Sequence, residues 1–177
     1  TFTSAGGAAA SRIARWNGGA WSTFGAGTNH HITALAVLPN GDVVAGGSFT
    51  AAGGVVAHKI ARWNGALWSP IGSGLGGDVR TLATLPNGDL VAGGVFTTAG
   101  GVAATGAARW DGASWSPMGM SGDTFALATT PGGDLVAGGT FVAAGVLVLI
   151  VSNDLPFGTL ASPGAGMLPV LVIALMM

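Results

Sequence analysis

The apolar positions of the chain gather in short runs separated by glycine-bearing turns. One stretch reads Ile32 to Leu38, Asp42 to Phe49, Val55 to Trp63 and Ala66 to Gly72. Each run has the length of a strand, and no segment keeps a 3.6-residue apolar period free of glycine, so helix is the poorer reading. Leu82, Ala83 and Leu85, then Leu90, Val91 and Ala92, make the first two runs of a later stretch apolar on both faces. Strands of that kind have to be covered from both sides. Between the runs, Asn40-Gly41 and Asn64-Gly65 suit type I′ hairpin turns, in which both central residues take positive φ. Ala52-Gly53-Gly54 marks a third reversal.

The pattern returns at a fixed interval. Phe2, Phe49, Phe96 and Phe141 follow one another at 47, 47 and 45 residues, and Trp16, Trp63 and Trp110 keep the spacing of 47. Such a period outranks local signals. Four runs per period leave about 12 residues for each strand and its turn, at the upper edge of what sandwiches, barrels and propellers show. In a sandwich most strands have one solvated face, whereas a propeller packs each four-stranded blade between two neighbours. Two-sided burial therefore favours the propeller, and the pairs Gly46-Gly47, Gly93-Gly94 and Gly138-Gly139 fit close approach between blades.

Within each period the wording is nearly constant. Arg62-Trp63-Asn64-Gly65, Trp68-Ser69-Pro70, Leu85-Pro86-Asn87-Gly88-Asp89-Leu90-Val91-Ala92-Gly93-Gly94 and Phe49-Thr50-Ala51-Ala52-Gly53-Gly54 represent its parts. From about Phe2 to Gly145 this pattern resembles the kelch-like β-propeller repeats of bacterial secreted proteins and of fungal cortical polarity markers. The resemblance implies an all-β partial β-propeller of antiparallel four-stranded blades. Residues 1–31 form the outer half of one blade, 32–74 and 79–120 two whole blades, and 124–145 the inner half of another. After Gly145 the period is lost, and 146–177 is a divergent apolar tail, for which an anchor, a domain junction and the product of a shifted frame are the readings. Leu155 to Met177 has the length of a membrane span, but Pro156, Pro163 and Pro169 interrupt it and no Lys or Arg flanks it, which disfavours membrane contact. Two whole blades and two halves do not close a ring, so the chain is expected to be a fragment. Missing blades or another copy would then cover its exposed faces, failing which it would aggregate or oligomerise.

Composition narrows the chemistry. Six basic against seven acidic residues, with no basic cluster, leave no footprint for nucleic acid. The absence of Cys excludes disulfides, thiolate metal sites and cysteine nucleophiles. Kelch-type copper oxidases build their cofactor from Cys and Tyr and sialidase-like propellers use Tyr and Glu. The chain contains none of these three residues. No cofactor is expected, no residue stands out as catalytic, and no two Asp lie within four residues of each other to begin a calcium loop.

Two groups of candidate residues remain. One recurs in every period and is assigned to structure: the carboxylates Asp42, Asp89 and Asp134, the arginines Arg62 and Arg109, and the tryptophans Trp16, Trp21, Trp63, Trp68, Trp110 and Trp115. If the strand from Asp42 folds back on the one ending at Trp63, paired residue numbers sum to about 106, which brings Asp42 and Arg62 to one end of the blade. The tryptophans are expected to meet as cross-strand pairs, with a sugar-stacking platform as the other reading. The second group differs between periods and is assigned to ligand binding: His30, His31, Asp78 and Asp123, in the loops Gly27 to His31, Gly74 to Asp78 and Met118 to Asp123. Adjacent His30 and His31 on an extended segment would face opposite ways and could not share a metal. The resulting expectation is a non-catalytic binding or structural module of a secreted or surface protein, with a protein or carbohydrate ligand. The competing readings are part of a propeller enzyme whose site lies in other blades, and a truncated product without function.

Overall fold

The computed structural model of the chain describes residues 2–140 and the backbone of a strand at 146–151. It is all-β, with no helix among the described residues. The chain starts with a small hairpin, β1 (Ser4–Ala5) and β2 (Ala8–Ala9), followed by the pair β3 (Ala14–Trp16) and β4 (Trp21–Thr23). The next repeat contains β5 (Ile32–Val37), β6 (Val43–Gly47), β7 (Ala51–Ala52), β8 (Val55–Val56), β9 (Ile60–Trp63) and β10 (Trp68–Pro70). The third repeats it as β11 (Asp78–Thr84), β12 (Leu90–Val95), β13 (Thr98–Ala99), β14 (Val102–Ala103), β15 (Ala107–Trp110) and β16 (Trp115–Pro117). Last come β17 (Thr124–Thr129), β18 (Leu135–Thr140) and β19 (Val146–Val151).

Each full repeat is an antiparallel four-stranded meander, in the orders β5-β6-β9-β10 and β11-β12-β15-β16. Val43 stands opposite Trp63 and Val44 opposite Arg62, a constant sum of 106. The first strand of each meander bulges at the same place, at Thr33, Arg80 and Phe125. Between the second and third strands the chain makes a separate two-stranded hairpin, β7-β8 or β13-β14. The run from Val55 to Trp63 is thus two strands rather than one. The break falls at Lys59, whose φ of 69° no strand can continue through.

The Asn-Gly turns also differ from the type I′ geometry expected of them. Only the glycines take positive φ there, as at Gly41 and Gly65, and the asparagines do not. Gly41 N–H donates to Leu38 C=O, and Leu38 N–H donates to Asp42 C=O. Pro39 and Asn40 therefore form a type I turn closed by a left-handed glycine, a geometry for which Pro at the first central position is already shaped. In the four-residue loops after the third strands, the Asn64 side-chain oxygen accepts from the N–H groups of Ala66 and Leu67, and Asp111 accepts from Ala113 and Ser114. These bonds to the carboxylate hold Asp111 below its ordinary acidity range, chiefly through the Ser114 N–H.

The meanders pack face to face through their first strands, with β11 between β5 and β17. A Cβ on Gly46 would fall 2.5 Å from Val79 Cγ1 and 3.3 Å from Leu82 Cδ1, and one on Gly93 would fall 2.8 Å from Thr124 Cγ2. Glycine at the second strand is what lets the next sheet come this close. Polar contacts follow the same step: Thr33 Oγ1 donates to Val79 C=O, Thr84 Oγ1 to Val37 C=O, and Thr81 Oγ1 accepts from Leu127 N–H. Burial follows position in this stack. Leu82, in the middle, is 9% exposed, whereas its counterpart Leu35 on β5 is 54% exposed. Apolar character on both faces is therefore matched by cover on both sides only for the central meander. Two apolar clusters result, one around Val79, Leu82, Leu90 and Trp115, the other around Phe24, Phe49, Ala61 and Trp68.

Beyond the loss of period, β19 takes the third-strand place beside β18, with Val136 opposite Ile150. The rest of the tail, including the 155–177 stretch weighed as a membrane span, lies outside the described residues. No described helix is long and apolar enough to cross a membrane.

Candidate functional site

The meander topology gives the molecule two ends that differ in their residues. At one end lie the Asn-Gly turns, and there the recurring residues assemble. Arg62 Nε lies 3.5 Å from Asp42 Oδ2, and Arg109 Nη1 lies 3.0 Å from Asp89 Oδ2. Asn40 and Asn87 each donate a side-chain N–H to the same carboxylates. Trp16 with Trp21, Trp63 with Trp68 and Trp110 with Trp115 stand directly opposite across their strand pairs, with ring centroids 5.5, 5.5 and 5.4 Å apart. Trp68 Nε1 donates to Phe24 C=O of the preceding repeat at 2.8 Å, and Trp115 Nε1 to Ile71 C=O at 3.2 Å. These tryptophans therefore tie neighbouring repeats together as well as closing their own hairpins. An open cleft of about 370 Å³ between the two full meanders is lined here by Arg62, Asn87, Asp89, Trp110 and Asp111. Most of this lining recurs in other repeats.

The opposite end carries the residues that differ. The first strands start there, so the loops Gly27 to His31, Gly74 to Asp78 and Met118 to Asp123 come to the same side of the molecule. The first two of these loops are pinned by backbone bonds to the small hairpins, Thr28 bridging to Ala52 and Leu75 to Ala99. His31, Asp78 and Asp123 occupy equivalent places, each with its carbonyl oxygen against the second glycine of the pair in the adjacent second strand, Gly47, Gly94 or Gly139. Stacking of the meanders thus lines up one imidazole and two carboxylates along this end. His30 and His31 do not splay apart as an extended segment would require. The chain bends at Asn29 and His30, and the two rings meet edge to face with centroids 4.4 Å apart. Among the described residues no three His or Asp side chains come together to hold a metal ion.

Asp78 is the centre of the best-connected polar group at this end. Lys59 Nζ lies 3.2 Å from Oδ1, Arg80 Nη2 lies 3.5 Å from Oδ2, and Ser48 Oγ donates to Oδ2 at 3.1 Å. Lys59 also donates to Ser48 C=O at 3.0 Å. Partial burial by itself would raise the Asp78 pKa, but the bonds from Lys59 and Ser48 and the charges of Lys59 and Arg80 outweigh it and hold the carboxyl below its ordinary value of 3.8. Asp123 has no cation at ion-pair distance among the described residues. The reason is local. The place that Lys59 holds in its repeat is Gly106 in the next and Arg12 in the one before, and all three take left-handed φ, at 69°, 69° and 68°. A non-glycine residue there costs about 1–2 kcal/mol. Two of three repeats thus carry a strained cation where glycine would be relaxed.

Ser48, Lys59 and Arg80 were not singled out by sequence. One signal was available: Lys59 is the only lysine in the chain and stands where the repeats disagree. Asn29 was covered only as part of its loop. Its side chain accepts from the N–H groups of Thr50 and Ala51 and donates to Thr50 Oγ1, fixing the histidine loop on the small hairpin.

No family model, curated protein or solved structure matches the chain.

Proposed function

We propose that the meanders are blades of a kelch-like β-propeller and that the protein is a non-catalytic binding module, recognising its ligand at the end that carries His30, His31, Asp78 and Asp123. The observation that carries this reading is the segregation of residues between the two ends: recurring Asp-Arg pairs and turns at one, and at the other His30, His31, Lys59 and Arg80, each found in one described repeat only, beside Asp78 and Asp123. The face-to-face packing of four-stranded meanders through their first strands supports the blade assignment. In this reading 32–74 and 79–120 are whole blades. Lys59, Arg80, Asp78 and Asp123 together offer both charge signs on loops and strand starts held by a rigid scaffold, which suits a polar peptide segment or a carbohydrate bearing a charged group. Placement of the protein outside the cell or on its surface rests on the resemblance of the repeat alone.

The test is binding of the full chain to glycan and peptide arrays. Asp78→Ala and the double variant His30→Ala/His31→Ala should lose most of the signal, and Asp89→Ala, at the opposite end, should keep it. Equal binding by all three variants, or loss with Asp89→Ala alone, would sink the assignment.

A further inference from the structure

The chain contains four Asn-Gly steps, at Asn17, Asn40, Asn64 and Asn87, and all four asparagines are exposed. In such a step the backbone nitrogen of the glycine can attack the side-chain amide carbon of the asparagine, because no Cβ on the following residue shields the approach. As dipeptides the four are alike. The fold makes two kinds of them.

At Asn40 and Asn87, in the turns between first and second strands, both reacting groups are engaged. Gly41 N–H donates to Leu38 C=O and Gly88 N–H to Leu85 C=O, each at 2.9 Å. The amide is clasped by the next aspartate: Asn40 Nδ2 donates to Asp42 Oδ2 at 2.9 Å, and Asn40 Oδ1 accepts from Asp42 N–H at 3.1 Å. Asp89 holds Asn87 in the same way. A carboxylate in place of either amide would set two like charges at hydrogen-bond distance.

At Asn17 and Asn64, in the β3-β4 and β9-β10 loops, the arrangement is reversed. Asn17 Oδ1 accepts from the N–H groups of Gly19 and Ala20 at 2.9 and 2.8 Å, and Asn64 Oδ1 from those of Ala66 and Leu67 at 3.0 and 2.9 Å. Two donors on one amide oxygen draw charge from its carbon and stand where an oxyanion would form on attack. Among the described residues neither side-chain NH2 donates to an acceptor, and the N–H groups of Gly18 and Gly65 have none either. Nucleophile and leaving group are thus both free. The third repeat already displays the acid form of this loop. Asp111 stands where Asn64 stands one repeat earlier, and its carboxylate accepts from the N–H groups of Ser114 and Ala113 at 2.8 Å. Those bonds, with the charge of Arg109 two residues before, hold it ionised below the ordinary carboxylate range. Arg62 stands in the same relation to Asn64.

We propose that Asn17 and Asn64 are sites of spontaneous deamidation in the folded protein, and that Asn40 and Asn87 are shielded from it. Gly65 N forms a bond to Asn64 Cγ and gives up its proton. The Cγ–Nδ2 bond breaks and the side-chain nitrogen leaves as ammonia with that proton, which closes a five-membered succinimide. Solvent water then opens the ring at either carbonyl, giving aspartate or its isoaspartate isomer. One water is consumed and one ammonia released, with no oxidation or reduction, and each conversion adds one negative charge. Gly18 and Asn17 react in the same way. The aspartate product keeps both backbone N–H bonds, as Asp111 does, so these loops pass from the amide form to the acid form that the third repeat carries from the start.

The experiment holds the full 177-residue chain in mildly alkaline buffer and follows each asparagine over days by peptide mapping with mass spectrometry. A parallel sample in urea gives the rates that the dipeptides have without the fold. In the folded chain Asn17 and Asn64 should convert faster than Asn40 and Asn87 by about tenfold or more, since freeing the glycine N–H alone costs about one hydrogen bond. In urea the four rates should draw together. The product is tested separately: at neutral pH Asn64→Asp should keep or raise the urea midpoint of the parent chain, and Asn40→Asp should lower it. Equal rates at all four positions in the folded chain, or faster conversion at Asn40 or Asn87, would overturn the proposal. So would an unconverted Asn64 after a time in which the unfolded chain has converted, or a midpoint lowered as much by Asn64→Asp as by Asn40→Asp.

Discussion

Glycine at the second strand of each meander is the most quantitative handle on the packing. A methyl group added at Gly46 would sit 2.5 Å from Val79 Cγ1 and 3.0 Å from Val79 Cβ, and one added at Gly93 would sit 2.7 Å from Thr81 Cγ2 and 2.8 Å from Thr124 Cγ2. Carbon atoms in contact prefer about 3.5–4.0 Å, so each case demands a shift of about 1 Å between sheets that are already close-packed. Overpacking of this kind costs about 1–3 kcal/mol. At Gly138 the nearest atom to the added methyl is Ala126 Cβ at 3.5 Å, an ordinary contact, and the cost within one chain should stay below about 0.5 kcal/mol. Urea unfolding of Gly46→Ala, Gly93→Ala and Gly138→Ala, followed by tryptophan fluorescence at a concentration where the chain is a monomer, measures all three. Equal, near-zero effects at Gly46 and Gly138 would mean that the first strands do not pack over the second strands of the preceding repeat, and the stacking described above would be wrong.

Other substitutions test separate links. Trp115→Ala removes a buried indole and its bond to Ile71 C=O and should cost about 3–5 kcal/mol in urea unfolding, whereas Trp21→Ala, half exposed, should cost clearly less. A double-mutant cycle on Asp89 and Arg109 should give a coupling of about 0.2–1 kcal/mol, because Arg109 is well exposed to solvent. Lys59→Gly should be more stable than Lys59→Ala by about 1 kcal/mol in thermal unfolding, since both lose the Asp78 contact but only glycine relieves the left-handed φ. The Asp78 carboxyl is held below 3.8 by Lys59 and Ser48, so its contribution to stability is present above that value and is lost as pH falls through the lower folded-state pKa. The stability difference between the protein and Asp78→Asn should therefore be fully present at neutral pH and shrink as pH falls below the ordinary carboxylate value, as read from urea midpoints.

What the sequence disclosed was governed by how far each feature depends on neighbours in the chain. The meander strands follow from the alternation of turns and apolar runs, and the register of β6 on β9 follows from the reversal around Gly53, because hairpin geometry is local. The small hairpin of β7 and β8 was hidden inside longer runs. Its strands have two residues each, and the break that separates β8 from β9 is the backbone of Lys59, a residue with no propensity for that conformation. The turn at Pro39-Asn40-Gly41 was mistyped because Asn-Gly alone suggests positive φ at both positions, and the deciding residue is the proline before it. His30 and His31 were read as extended, but Asn29 bends their loop through bonds to Thr50 and Ala51, which are distant in sequence. The Asp78 group escaped for the same reason: Ser48, Lys59 and Arg80 reach it from just beyond the preceding second strand, from the strained bend and from the next bulge. Exposure of Leu35 against burial of Leu82 is invisible in the pattern altogether, since the two leucines differ only in what stacks on them.

The central claim is that successive meanders pack through their first strands, with β11 enclosed between β5 and β17. The direct measurement is a nuclear Overhauser spectrum of methyl-labelled chain. The account predicts cross-peaks from the methyl groups of Val79 and Leu82 to the α protons of Gly46, and from those of Thr124 and Leu127 to the α protons of Gly93. Absence of both sets, with the Leu82 methyl groups instead contacting only residues of their own sheet, would contradict it.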